Sequence, residues 1–310
     1  MNFKSKVFLA PMAGITDPAF RAVCAQNGAG MTVTELVSAK GLLQNNEKTK
    51  EMIARASKED NFAIQLFGGE PDIMAKAAEL VAPFCDMIDI NMGCPVEKVC
   101  KLGAGSALLS NPKRAGEIVR KMEQATNVPI TAKMRVGLSD PNQNLAVALA
   151  KSCEDNGASM ITVHGRTQVQ KYGGTANWDA IKEVKDAVSI PVVGNGDIST
   201  PELAKLRLQT TDYISVGRAS SGNPMVFKEI TQYLETGNYE EITPHMRLSM
   251  FERYLDLAKE FNTPLVIQRL QSQHFTKGIE GAASARLKLN STQSPAEILA
   301  EVTKLLQPQN

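Results

Sequence analysis

Eight short apolar runs rich in β-formers mark the first three quarters of this 310-residue chain: VFLAPM (7–12), MTVTELV (31–37), FAIQLF (62–67), MIDINM (87–92), PITAKMR (129–135), MITVHG (160–165), IPVVGNG (190–196) and YISVG (213–217). Helix-like patterns fill the intervals. Several open on a capping residue or proline: Thr16-Asp17-Pro18, Glu70-Pro71, Asn111-Pro112, Thr200-Pro201 and Asn223-Pro224. Proline is accommodated in the first helical turn, where its missing N–H leaves no bond unmade. Strands alternating with helices predict a parallel sheet with crossover helices. Eight such units predict a (β/α)8 TIM barrel, a fold of about 250 residues. A doubly wound open sheet is the competing arrangement.

The placement of polar residues favours the barrel, because they gather at the C-terminal ends of the runs. The first ends in Pro11-Met12-Ala13 and the third carries Gln65. The fourth ends in Asn91-Met92-Gly93-Cys94, and the fifth carries Lys133 and Arg135. The last three end in His164-Gly165-Arg166, Asn195-Gly196-Asp197 and Gly217-Arg218. That face of a barrel holds the active site. After the eighth unit the pattern changes. ETGNYEEITP (235–244) reads as a linker, and 245–261, 265–279 and 294–307 are amphipathic helix patterns. The expected division is a barrel domain at 1–238 and a small helical domain at 239–310.

Composition narrows the function classes. Lys+Arg is 34 and Asp+Glu is 33, so a nucleic-acid surface, if present, is local. The five cysteines are odd in number, no CxxC occurs and there are three histidines. Neither a disulfide framework nor a metal cage is expected, and a reducing cytoplasm is the simpler setting. The segment MNFKSKVFLAPMAG does not read as a signal peptide, and no apolar run reaches the roughly 18 residues of a membrane helix.

Lys133 lies inside the apolar strand ITAKM. Burial there demands a partner: either a neighbouring strand's carboxylate or an anionic cofactor at the barrel mouth. The glycines of Asn195-Gly196-Asp197 and Gly217-Arg218 are tight turns if taken singly. Together, in the last two units, they point to a phosphate held by backbone N–H groups with arginine assistance. GxGxxG is absent after the first strand, which disfavours a Rossmann site. His164 and Gln65 are either structural or ligand contacts. Cys24, Cys85 and Cys153 read as buried core thiols. Cys94 differs, standing just past a strand between Gly93 and Pro95. A thiol with a reference pKa near 8.5 is mostly protonated at neutral pH and can donate. Asn91 can fix a substrate carbonyl beside it, and Cys100 reads as incidental.

APMAGITDPAFR, QLFGGEP, DINMGCPVEKV, GAGSALL, AKMRVG, TVHGRTQVQKYGGTANWDAIKEVK, IPVVGNGDI and VGRASSGNPMVF together resemble the tRNA-dihydrouridine synthases over about residues 8 to 228. QHFTKGIEGAASAR resembles that family's helical domain. The resemblance implies an FMN-bound barrel and a tRNA-binding helical domain. It implies reduction of a uridine double bond in the D-loop of tRNA, with NADPH (or NADH) as reductant. Neither a membrane nor a metal partner is expected, and the oligomeric state is open, with a monomer favoured. It implies Cys94 as the catalytic acid. It assigns Pro11, Met12, Ala13, Gln65, Lys133, His164, Asn195, Gly196, Asp197, Gly217 and Arg218 to FMN, and Asn91 and Arg166 to the flipped uracil. Ala219 stands where the family usually has a second glycine. A flavin barrel acting on a free pyrimidine, similar to dihydroorotate dehydrogenases, is the alternative; a helical RNA-binding tail argues against it. Arg269, Lys277, Arg286 and Lys288 face only Glu280 within 269–288 and form a candidate basic stripe.

Overall fold

The computed structural model describes residues 2–56, 58–140 and 142–307. Nine strands form one parallel sheet: β1 (Val7–Leu9), β2 (Thr32–Val33), β3 (Val37–Ser38), β4 (Phe62–Phe67), β5 (Met87–Met92), β6 (Ile130–Arg135), β7 (Met160–His164), β8 (Val192–Asn195) and β9 (Tyr213–Val216). Their order is β1-β9-β8-β7-β6-β5-β4-β2, with β3 also on β4. Two backbone bonds, Gly30 N–H to Val7 O (2.8 Å) and Leu9 N–H to Met31 O (2.9 Å), join the remaining edges and close the barrel. The expected strand 31–37 is thus two pieces. The interruption has a cause: Thr34 Oγ1 donates to Glu35 O (2.7 Å), and the Glu35 carboxylate accepts from Gly14 N–H (2.6 Å) instead of standing on the sheet.

The caps explain where the helices start. Asp17 Oδ1 accepts from Ala19 and Phe20 N–H ahead of helix Pro18–Gln26. Asn111, Thr200, Thr243 and Ser294 cap helices whose first residue is proline. Asn223-Pro224 does not follow the rule, since helix Val226–Thr236 begins two residues later.

Alternation along the strands sorts side chains to two sides of the wall. Outward residues such as Ile64, Ile88, Ile90, Met92, Ala132, Met134, Ile161 and Val163 pack under the surrounding helices. Inward, the lowest layer is apolar: Phe8, Met31, Val33, Ala63, Met87, Met160 and Val193, with Phe3 and Tyr213 against them. Phe3, Phe8 and Tyr213 stack with centroids 4.7 to 5.2 Å apart. Two residues further along the same strands the inner face turns polar, with Gln65, Asp89, Thr131, Thr162 and Ser215 all buried. The next layer contains Asn91, Lys133, His164, Asn195 and Gly217. The barrel is therefore a plugged cup, open at the C-terminal end of its strands.

Helices Pro244–Glu260, Leu265–Phe275, Ala282–Ser291 and Pro295–Leu306 form the C-terminal helical region. The third was not separated by its sequence pattern. The region packs against the rim of the cup. Gln271 Nε2 donates to Ile15 O (2.7 Å) and Asp17 Oδ2 (3.0 Å), and Phe251, Tyr254 and Phe275 cluster beneath. Among the described residues no helix is long and apolar enough to cross a membrane.

Gly222 fixes the seating of this region. It has φ +72°, and a Cβ built there would lie 2.1 Å from His274 O. Gly222→Ala must adopt left-handed backbone and push helix Leu265–Phe275 away, costing about 2–3 kcal/mol. Calorimetry should show a lower Tm, with faster amide exchange at Phe275 and Thr276. An unchanged Tm would contradict the close packing.

Candidate active site

A cavity of about 600 Å³ opens at the C-terminal end of the barrel. All fourteen residues singled out in the sequence line it: Pro11, Met12, Ala13, Gln65, Asn91, Cys94, Lys133, His164, Arg166, Asn195, Gly196, Asp197, Gly217 and Arg218. They are far apart in sequence and meet because each lies on the inner face or at the C-terminal end of a strand of one closed sheet.

At the floor, hydrogen bonds from both neighbouring strands converge on Asp89, and two amides link it to the thiol turn. Thr131 Oγ1 donates to Asp89 Oδ1 (2.7 Å), and Gln65 Nε2 donates to Asp89 Oδ2 (2.7 Å). Asn91 Nδ2 donates to Gln65 Oε1 (2.7 Å). Asn91 Oδ1 accepts from Gly93 N–H (3.2 Å) and Cys94 N–H (2.8 Å). The Asn91 amide therefore shapes the turn that carries the thiol. From the other side, Cys94 O accepts from Ser106 N–H and Oγ (both 3.0 Å) and from Cys100 Sγ (3.5 Å). Cys100 is thus part of the turn's support. Gly105 makes the approach possible: at φ +60°, its would-be Cβ lies 2.7 Å from Cys94 O.

Electrostatics differ from group to group. Cys94 is 8% exposed, and burial pushes its thiol pKa up, so it stays protonated at neutral pH. Burial, followed by the Arg135 charge, brings Lys133 down to about 8. No side-chain hydrogen bond or ion pair holds its ammonium among the described residues. Burial and the cations Lys133, Arg135, Arg166 and Arg218 drive His164 down to about 2, so its ring is neutral. Burial works against the Asp197 carboxylate, but bonds from Arg166 and Ala176 N–H hold its pKa below the usual value.

Asp197, at φ +53°, organises the far wall. Its carboxylate accepts from Arg166 Nη2 (2.8 Å), Arg218 Nη2 (2.8 Å) and Ala176 N–H (2.8 Å). Arg166 is 2% exposed and also bonds Gly173 O and Gly174 O, while its Nη1 has no partner. Gly196, at φ +131°, has no room for a Cβ, which would lie 2.6 Å from Ala176 Cβ. At Gly217 a Cβ would meet Met12 Sδ at 3.6 Å and Ala10 Cβ at 3.7 Å, ordinary contact distances. Asn195 Nδ2 donates to Ser215 O (2.7 Å) and ties the two strand ends together.

The sequence places Arg135 at a strand end but gives it no role, and nothing in it marks Tyr172. Arg135 donates to Gly93 O (2.9 Å) and to Thr167 O and Lys171 O (both 3.1 Å), clamping the thiol turn to the loop after β7. Tyr172 on that loop is 62% exposed, with Arg218 over its ring at 5.3 Å. Lys277 reaches the cavity from the helical region. Of the other residues in the candidate basic stripe, Arg269 is part-buried and its Nη2 donates to Thr292 O. Arg286 and Lys288 remain exposed on that helix.

Comparison with known proteins agrees with this arrangement. The dihydrouridine synthase family model matches residues 8–310. The chain is 38% identical to tRNA-dihydrouridine synthase B of Vibrio parahaemolyticus over 307 residues, covering 96% of this chain and 95% of that protein. It is 44% identical to the protein of the same name from Vibrio vulnificus over 297 residues, covering 94% and 92%. The fold is shared with histamine dehydrogenase from Rhizobium sp. 4-9 (TM-score 0.55, 14% identity, 82% of this chain and 49% of that one). It is also shared with an old yellow enzyme homologue from Zymomonas mobilis (TM-score 0.51, 14% identity, 80% and 94%). A parallel barrel whose strand ends gather Cys94, Lys133, His164 and two glycine turns, matched by the family model along almost its whole length, belongs to the dihydrouridine synthase family.

Proposed function

We propose that this chain is an FMN-dependent enzyme that reduces the 5,6 double bond of uridine in the D-loop of tRNA, with NADPH as reductant. The observation that carries the reading is a protonated, nearly buried Cys94 thiol sharing one cavity with the unpartnered Lys133 ammonium. The names of the relatives support the substrate class.

The residues present suit FMN. Gly196, Gly217 and Arg218 offer backbone N–H groups and a guanidinium for its phosphate, and the free Nη1 of Arg166 adds an uncommitted donor at that wall. Pro11, Met12, Ala13, Gln65, His164, Asn195 and Asp197 would complete the cofactor's surroundings. The neutral His164 ring can bond without adding charge. Lys133 would sit against the cofactor's anionic form, an attraction strengthened by the dry site. Bound there, a reduced flavin would supply the hydride for the uracil double bond. Cys94 then gives its proton to carbon 5, its raised pKa keeping the proton available until negative charge develops on the base. Asn91 retains a second N–H toward the cavity for a uracil carbonyl, and Arg166 holds the wall beside it. The base must leave its stack to reach this depth. Lys277, reaching in from the helical region, favours an RNA over a free pyrimidine, because a free base would need no such extension.

Cys94→Ala should bind FMN and accept hydride from NADPH near the parent rate, yet lose about 10²- to 10⁴-fold in dihydrouridine formation on tRNA. Mass spectrometry of digested tRNA, with free uridine assayed in parallel, reads the product. Parent-level product from the variant would remove the thiol from the reaction.

Lys133 generates a pH prediction with a definite sign. Its depressed pKa means that its charge is lost as pH rises through about 8. A reduced, anionic flavin that relies on that charge must restore the proton, so the affinity for reduced FMN should fall above this pH by up to about tenfold per unit. Anaerobic titration with reduced FMN between pH 7.5 and 9.5, followed by absorbance, tests it. Lys133→Met should bind more weakly and with a flatter profile; a parent profile with no fall would separate Lys133 from the cofactor.

A further inference from the structure

Asp89 touches the cavity only through other residues, and nothing in the proposed reaction uses it directly. It sits in the middle of the buried strand β5, 5% exposed, with no arginine or lysine bonded to it. A carboxylate inside a barrel is costly unless its oxygens are well bonded. A purely stabilising layer would be served by a smaller neutral residue. Its cross-strand neighbours are Gln65 on β4 and Thr131 on β6, and both donate to it.

We propose that Asp89 is a positioning residue for Cys94: by accepting from Gln65 and Thr131 it fixes which end of the Gln65 amide, and through it the Asn91 amide, faces the turn that carries the thiol. An amide fits its site equally well either way round, so shape alone cannot choose. An ionised carboxylate only accepts. Gln65 must then turn Nε2 toward Asp89 and Oε1 toward Asn91. Asn91 must answer with Nδ2, leaving Oδ1 for the Gly93 and Cys94 N–H groups. Backbone N–H groups can only donate, so the two ends of the chain of bonds demand the same polarity. Each link is 2.7 to 2.8 Å, apart from the 3.2 Å bond at Gly93.

The inference also has a pH signature. Burial raises the Asp89 pKa; Gln65 and Thr131 oppose the rise, and Lys133 is the charged group that acts on it. A protonated Asp89 has a donor to place. It can bond Gln65 Oε1 only if that amide turns over, which the Cys94 turn opposes. Acid therefore loosens the turn, and burial moves that transition up from the ordinary carboxylate value.

This inference rests on the proposed role of Cys94, but its test does not need RNA or flavin. The measurement is the rate at which iodoacetamide alkylates Cys94, resolved by peptide mass spectrometry and divided by that of glutathione in the same solution, so that the general loss of thiolate in acid cancels. Asp89→Leu removes both acceptors and should speed alkylation at Cys94 more than tenfold. Asp89→Asn can accept from Gln65 with its oxygen and donate to the Thr131 hydroxyl. It should react at the parent rate and lose the parent's acceleration in acid, because an amide has no proton to gain. In turnover on tRNA, Asp89→Leu should lose about a hundredfold in kcat, with KM within a few-fold, and Asp89→Asn should recover most of it. Parent-rate alkylation in Asp89→Leu would overturn the inference, as would an acid acceleration that persists in Asp89→Asn. Should Asp89→Leu fail to fold, the Asn variant's acid profile decides alone. A parent protein that makes no dihydrouridine would instead defeat the proposed reaction and leave the alkylation result standing.

Discussion

The seven apolar side chains at the base of the barrel set the level at which polar groups can stand. Phe8, Met31, Val33, Ala63, Met87, Met160 and Val193 exclude water from below. The Gln65, Asp89 and Thr131 layer lies directly above them, in a low-dielectric cup. Every unusual property of the site follows from this. The Cys94 thiol keeps its proton, the Lys133 ammonium is brought close to losing its own, and the His164 ring is neutral. Burial is the first cause in all three cases. Neighbouring cations deepen the effect at Lys133 and His164.

The charge balance of the cavity is very different from that of the chain. Overall the protein carries +1, yet Lys133, Arg135, Arg166, Arg218 and Lys277 line one opening in which Asp197 is the only carboxylate among the described residues. Converging cations in a recess focus potential on an anionic ligand. That suits the proposed cofactor phosphate and RNA backbone alike. It is supplied by strand ends and one helical-region lysine, so no basic run in the sequence announces it.

The strands and the cavity lining were legible because alternation and strand-end position are local properties. A polar residue two places past an apolar one on a barrel strand faces inward, and one at the strand end faces the mouth. What could not be read depends on partners distant in the chain. Asp89 looks like any residue of MIDINM until Gln65 and Thr131 are beside it. Arg21 and Glu59, a fully buried pair at 3.0 Å, lie in ordinary helix and loop sequence. The break at 34–36 arises because Glu35 bonds Gly14 N–H, far back in the chain. Helix Ala282–Ser291 was hidden because its buried positions, Ala282, Ala285 and Leu289, are few and mostly small. Within the candidate basic stripe, the bond from Arg269 to Thr292 O and the place of Lys277 on the cavity lining are likewise invisible in the sequence.

We propose that this cavity reduces a uridine held in RNA. The decisive measurement is dihydrouridine mapped at nucleotide resolution in tRNA from cells with and without this protein. At least one D-loop position should read dihydrouridine when the protein is present and uridine when it is absent, and the modification should return when the wild-type chain is supplied but not Cys94→Ala. An unchanged dihydrouridine map would contradict it.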